Sequence, residues 1–262
     1  MQHRLISVAG IPVISETRQG LARRMVEDCS QNKELGYECL PQLILCANGH
    51  SLSMYWADRE YRKLVDAADM IHADGMSLVL ATRFKVRVPL PERIATTDWF
   101  HDAAGAAQQA GFSFYLLGGI EETNRTAYEK MQAKYPRLNI VGRRNGYFSE
   151  AEEQEVLADI RAAKPDVLWV GLGRPKQEQF CIRNREALKG VTWMKTCGGL
   201  FDFLADDVVR APNWMQAAGF EWLWRMIQEP RRLFWRYLTT NLHASWLMWR
   251  HTHELPPRNP GA

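Results

Sequence analysis

The sequence predicts an α/β fold built on a doubly wound parallel sheet and followed by a C-terminal helical appendage. Three observations predict it. Short apolar, β-rich runs recur along residues 1–210 with room for a helix between them. Those runs are almost continuously apolar instead of alternating, as strands covered on both faces must be. The composition then changes abruptly after Pro212, where six of the ten tryptophans fall. The pattern is Rossmann-like, and it divides the chain into a core over 1–210, an appendage over 211–254 and a Pro/Gly-rich tail over 255–262 that is expected to fray.

Taken in order, the first strand is predicted at 43–47 (Leu-Ile-Leu-Cys-Ala), and an apolar stretch ends at Ala73-Asp74-Gly75. A third run follows at 112–117, leading into a helical pattern over 121–135. Asn139-Ile140-Val141-Gly142 reads as the next strand, and the helix over 150–163 is closed by Lys164-Pro165. Strands at 167–170 and 191–195 complete the sheet.

Composition bounds the function before any motif does. With 46% hydrophobic and 24% charged residues, the 262-residue chain is an ordinary globular one. Its net charge of +3 is too small for a general nucleic-acid coat, so no nucleic-acid partner is expected. Five arginines against Glu221 and Glu229 between residues 219 and 250 carry that whole excess. No apolar run reaches 18 residues and the first 20 lack a signal-peptide layout, so a cytoplasmic chain that does not span the membrane is expected. Cys29, Cys39, Cys46, Cys181 and Cys197 show no CxxC spacing, which favours reduced, mostly buried thiols over disulfides or a zinc site.

Three predicted strands end in glycines: Gly118-Gly119, Gly171-Leu172-Gly173 and Gly198-Gly199. Ligands of open α/β sheets bind beyond the carboxyl ends of strands, where glycine lets backbone N–H groups approach a phosphate. The same glycines also serve tight strand-to-helix turns, but three at one edge together suggest a nucleotide or diphosphate. None forms a GxGxxG or a P-loop. Asp74 stands at such an edge as well, a turn former or a carboxylate able to accept a proton from a substrate hydroxyl. The chain contains no DxD, so no metal site is expected and diphosphate charge would fall to arginines.

These residues carry a resemblance. Asn48, Ala73-Asp74-Gly75, Arg93 with Asp98, Gly118-Gly119, Gly171-Leu172-Gly173-Arg174-Pro175-Lys176-Gln177-Glu178, Cys197-Gly198-Gly199-Leu200-Phe201-Asp202 and Arg210-Ala211-Pro212 run in family order. So do Gly219-Phe220-Glu221-Trp222-Leu223-Trp224-Arg225 and Glu229-Pro230-Arg231-Arg232, and together the blocks resemble the WecG/TagA/CpsF glycosyltransferase family of bacterial polysaccharide and teichoic acid biosynthesis. The resemblance implies a metal-independent, inverting transfer of a sugar, of N-acetylmannosamine type or another hexose, from a UDP-sugar to a sugar on an undecaprenyl-diphosphate carrier. A UDP-glucose donor, as in xanthan-type assembly, is the alternative within the family. No cofactor beyond the UDP-sugar substrate is implied.

By the same resemblance Asp74 matches the general base. Asn48, Arg93 and Gln177 match residues that position donor and acceptor, and Arg225 and Arg232 match arginines that stabilise the leaving diphosphate. Departures occur at Cys46, where the family commonly has Thr, at Ala95-Thr96-Thr97, where a Gly is usual, and at Ala205-Asp206-Asp207.

In the appendage, Trp235, Tyr237, Trp246 and Trp249 stand among Arg231, Arg232, Arg236 and Arg250, the composition of an interfacial amphipathic helix. That favours peripheral attachment to the inner face of the cytoplasmic membrane over a purely internal helix. The rival of another class is a non-catalytic, membrane-associated, nucleotide-binding adaptor. Assembly state, a homo-oligomer included, stays open.

Overall fold

The near-continuous apolar runs become a six-stranded, all-parallel sheet, and the stretches between them become helices on both of its faces. The structure is a computed structural model describing residues 4–228 and 230–256, with backbone alone at 213, 217, 225 and 230–238. A first hairpin, β1 (Leu5–Val8) and β2 (Ile11–Ile14), precedes α1 (Arg18–Glu34). The sheet opens with β3 (Gln42–Ala47), followed by α2 (Gly49–Ala57), α3 (Arg59–Asp66), β4 (Met70–Ala73), α4 (Met76–Lys85) and α5 (Thr96–Ala110). It continues through β5 (Ser113–Gly118), α6 (Glu121–Lys134), β6 (Asn139–Arg144), α7 (Glu153–Ala163), β7 (Val167–Gly171), α8 (Lys176–Arg183), β8 (Trp193–Thr196) and α9 (Leu200–Leu204). The chain ends through α10 (Asn213–Ala217), α11 (Glu221–Gln228), α12 (Pro230–His251) and β9 (His253–Glu254).

The strand order is β4-β3-β8-β7-β5-β6. One core, on the face of α2, α3, α4, α7, α8 and α12, collects Leu43, Leu45, Ile71, Leu117, Leu168 and Met194. The other, under α1, α5, α6 and α9, collects Ile44, Met70, Leu116, Trp169 and Trp193. The helix after β3 thus lies on one face and the helix after the adjacent β8 on the other. Their carboxyl ends bound a crevice, the place where doubly wound sheets bind ligands.

The sequence reading placed five of the six sheet strands within a residue or two and foresaw the sixth only as an apolar stretch ending at Asp74. It did not foresee a second sheet, three-stranded and antiparallel in the order β2-β1-β9. Ala9 and Gly10, both at positive φ, turn β1 into β2 as a two-residue hairpin. Pro12 sits on the edge strand β2, where its missing N–H costs no ladder bond on the outer side. Ile6 and Ser7 of β1 pair with Glu254 and His253 of β9, so the end of the expected appendage is woven into the start of the chain. α12 reinforces this: Ala244, Leu247 and Met248 are buried in the core on the α2 face, and His243 Nδ1 shares a 2.7 Å hydrogen bond with Ser53 Oγ. The residues 257–262 of the expected frayed tail lie outside the described residues.

Candidate functional site

Asp74 follows β4 directly, and its neighbours fix one carboxylate oxygen more firmly than the other. Its N–H donates to the Ala47 carbonyl at 2.8 Å, continuing the β3–β4 pairing past the last ladder pair, Ala47 with Ala73. Oδ1 accepts from the Thr96 backbone N–H at 2.7 Å, the first amide of α5. Oδ2 accepts only a long 3.4 Å contact from Asn48 Nδ2. One oxygen is therefore anchored on a helix N-terminus, which favours negative charge, and the other is the freer acceptor.

Asn48 is at the same time the N-cap of α2. Its Oδ1 accepts from Ser51 N at 3.2 Å while Ser51 Oγ accepts from Asn48 N at 2.8 Å, a reciprocal capping box. This cap fixes the side chain so that its amide faces Asp74.

Gln177 is buried, and its amide joins two strand ends instead of facing open space. Its Oε1 accepts from the Gly198 N–H at 3.0 Å and its Nε2 donates to Glu178 Oε1 at 2.9 Å. Arg174, preceding a cis Pro175, donates from Nε to Glu178 Oε1 at 3.3 Å and from Nη2 to the Cys46 carbonyl and to Cys46 Sγ. Cys46 thus receives the arginine that crosses from β7 to β3.

The glycines divide by function. A Cβ on Gly118 would lie 2.3 Å from the Gly171 carbonyl oxygen, and one on Gly171 would lie 2.8 Å from that of Gly198. These two let the ends of β5, β7 and β8 close on one another. Gly173 and Gly198, both at positive φ, have nothing within 4 Å of a would-be Cβ and face open space. The Gly119 N–H already points to the Gly171 carbonyl at 3.4 Å, and Gly199 lies beside Asp202.

Arg93 precedes Ile94, whose N–H donates to the Ala73 carbonyl at the end of β4 at 2.8 Å. Its Nη1 donates to Glu221 Oε2 at 2.6 Å and its Nη2 to Gln216 Oε1 at 3.3 Å, with Asp98 Oδ2 at 3.6 Å. Arg210 completes the cluster on Asp98, on Gln216 Oε1 at 2.6 Å and on Glu221 at 3.6 Å. Burial opposes ionisation of Asp98, yet Arg210, Arg18 and Arg93 hold its carboxyl below the usual carboxylate range. The cluster clips α10 and α11 onto α5. Arg225 stands in α11 and Arg232 in α12, and the side chains of both lie outside the described residues.

Sequence reasoning missed what lies beneath Asp74. His72, two residues earlier on the same face of β4, is fully buried, and neither ring nitrogen has a hydrogen-bond partner. Burial first, then the charges of Lys195 and Arg174, push its pKa well below the ordinary histidine value. Trp99 of α5 covers it at 6.1 Å between ring centroids and covers Lys195 Nζ at 6.0 Å. A polar residue in an apolar strand was the available signal at both positions. Among the described residues no three His, Cys, Asp or Glu side chains come together as a metal site.

The site is thus a held carboxylate at the mouth of a crevice between oppositely wound strands, with small residues and buried cations along its floor. A family model described as "Glycosyl transferase WecG/TagA/CpsF family" matches residues 6–257.

Proposed function

Because the chain belongs to the WecG/TagA/CpsF glycosyltransferase family, and so to the glycosyltransferases of polysaccharide and teichoic acid biosynthesis, we propose that it is an inverting hexosyl- or N-acetylhexosaminyltransferase. The donor is a UDP-sugar and the acceptor a sugar on a polyprenyl diphosphate. The observation that carries this reading is Asp74, anchored through Oδ1 on Thr96 N–H and left with the less committed Oδ2 at the crevice mouth. Oδ2 takes the proton of the acceptor hydroxyl as its oxygen bonds to the anomeric carbon. On the opposite side the bond from that carbon to the diphosphate oxygen breaks, and the electron pair leaves with UDP. A single displacement inverts the anomeric configuration.

In this reading the open backbone at Gly173 and Gly198 receives the diphosphate, and Asn48 keeps the base in register. Gln177 acts by holding Gly198 to α8. Arg93 acts by seating α10 and α11, which bring Arg225 towards the site. The chain carries no DxD, and in this reading arginines and backbone N–H groups meet the diphosphate charge in place of a metal.

We further propose peripheral attachment to the inner face of the cytoplasmic membrane. Among the described residues no helix is long and apolar enough to cross a membrane. Support comes from α12, where Leu242, Trp246 and Trp249, spaced as one helical stripe, are 70%, 54% and 69% exposed beside the 81% exposed Phe84 of α4. Lys85 Nζ lies 4.5 Å from the Trp249 ring centroid and the Arg250 guanidinium 5.6 Å from that of Trp246, so cations flank the stripe.

The decisive experiment is a UDP-release assay with UDP-sugars and a short-chain polyprenyl-diphosphate sugar, followed by product linkage analysis. Acceptor-dependent release that survives EDTA and yields the inverted linkage supports the reading. UDP binding without transfer from any donor would favour the adaptor.

A further inference from the structure

Lys195 is the penultimate residue of β8 and is 0% exposed. Its Nζ donates to the Thr196 carbonyl at 2.6 Å, so the side chain bends towards the carboxyl end of the sheet. Among the described residues it makes no ion pair, in contrast to Arg174, which is paired with Glu178. The carboxylates of the floor have other partners: Asp74 has Thr96 and Asn48, Asp28 has Arg24, Gln42 and Trp193, and Glu178 holds Arg174 and Gln177 through Oε1, while its Oε2 is buried without a hydrogen bond. A buried ammonium without a counter-charge is costly and is retained only where something compensates it.

The surroundings say what that is. Lys195 and His72 flank β3 on the same face, opposite Ile44 and Cys46, and Trp99 closes over both. Beyond Lys195 the chain passes through Thr196 and Cys197 to Gly198, whose open, positive-φ turn is at the crevice. In so buried a floor, solvent screens the charge little, and its potential escapes mainly through the crevice mouth.

We propose that Lys195 is a positioning residue that holds the diphosphate of the donor through its buried charge, without touching it, and that the bound anion is its missing counter-charge. The inference rests on the UDP-sugar reading above and goes beyond it in assigning a residue that no part of that reading uses. A merely structural lysine would be expected to support the fold and to treat all ligands alike. A charge that acts on the diphosphate destabilises the empty protein and favours the loaded one.

The test measures binding of UDP and of uridine to the full chain and to Lys195→Met by titration calorimetry, with thermal unfolding of each in the absence of ligand. The expected result is a Kd for UDP raised about tenfold or more, an unchanged Kd for uridine, and a Tm equal to or above that of the unaltered chain. Equal UDP affinity, parallel loss of UDP and uridine binding, a lowered Tm or failure to fold would each overturn it. Absence of UDP binding by the unaltered chain would instead refute the donor reading itself, and the inference with it.

Discussion

Asp74 and His72 share one face of β4, and their different environments give them different roles. Asp74 meets a helix N-terminus and an amide; His72 is buried under the Trp99 ring, near the charge of Lys195. Replacing Asp74 with Asn keeps an oxygen for the Thr96 N–H but removes the base, so turnover is expected to fall about 100-fold or more with donor binding retained. Steady-state kinetics beside UDP titration checks this, and near-normal turnover refutes the assignment. For His72 the sign follows from linkage. Burial and Lys195 depress its folded pKa, so the unfolded chain binds the proton first, near pH 6.5, and stability present above that value is lost as pH falls. Between pH 7.5 and 5.5 this single group is expected to lower stability. Urea unfolding at the two values should show that loss shrinking in His72→Leu. The carboxylate was legible in Ala73-Asp74-Gly75 because a lone acid before glycine at a strand end is conspicuous. Its Thr96 anchor was not, because a backbone amide 22 residues on leaves no mark on local sequence.

Helices, unlike the sheet strands, were legible only where periodicity was clean. α6 and α7 were read from their patterns, whereas the buried face of α5 is largely small, with Ala103, Ala104 and Ala107 beside Trp99 and Phe100, and alanine marks a core face weakly although Asp98, His101, Asp102 and Gln108 line the other side. The way α10 and α11 are held was equally hidden, since Arg93, Asp98, Arg210, Gln216 and Glu221 are scattered over 128 positions. The resemblance placed Arg93 at the substrate; its contacts in the fold are with α5, α10 and α11. Removing one member of a half-buried charge cluster leaves its partners unpaired. Arg93→Met is therefore expected to destabilise by about 3 kcal/mol and to expose the 205–228 stretch to protease. Adding Glu221→Gln should restore part of the loss in a double-mutant cycle. Additive losses, with no coupling between the two positions, would remove the clip from the account.

At the scale of the whole molecule, the composition break after Pro212 was visible in the sequence, but the destination of the residues beyond it was not. A helical stripe of aromatic and aliphatic residues has no label for core or lipid, and α12 carries both. Ala244, Leu247 and Met248 fill the core against α2, while Leu242, Trp246 and Trp249 stand bare one face away. β9 then ties this end of the chain to β1 through the Ser7–His253 and Ile6–Glu254 pairs, 246 and 248 positions apart. Cutting the chain after Pro212 is thus expected to open the core and unfold the protein, because three buried side chains and an edge strand leave together. Leu247→Ala alone should cost about 2–5 kcal/mol, the usual range for a buried leucine. By contrast, Trp246→Gln with Trp249→Gln should leave the unfolding transition within about 0.5 kcal/mol, as surface changes do, yet weaken sedimentation with anionic liposomes several-fold. Turnover on a short-chain acceptor should survive that pair, and turnover on a bilayer-embedded acceptor should fall. If the double variant unfolds, the bare stripe is part of the core; if it binds liposomes as well as the unaltered chain, the membrane faces some other surface.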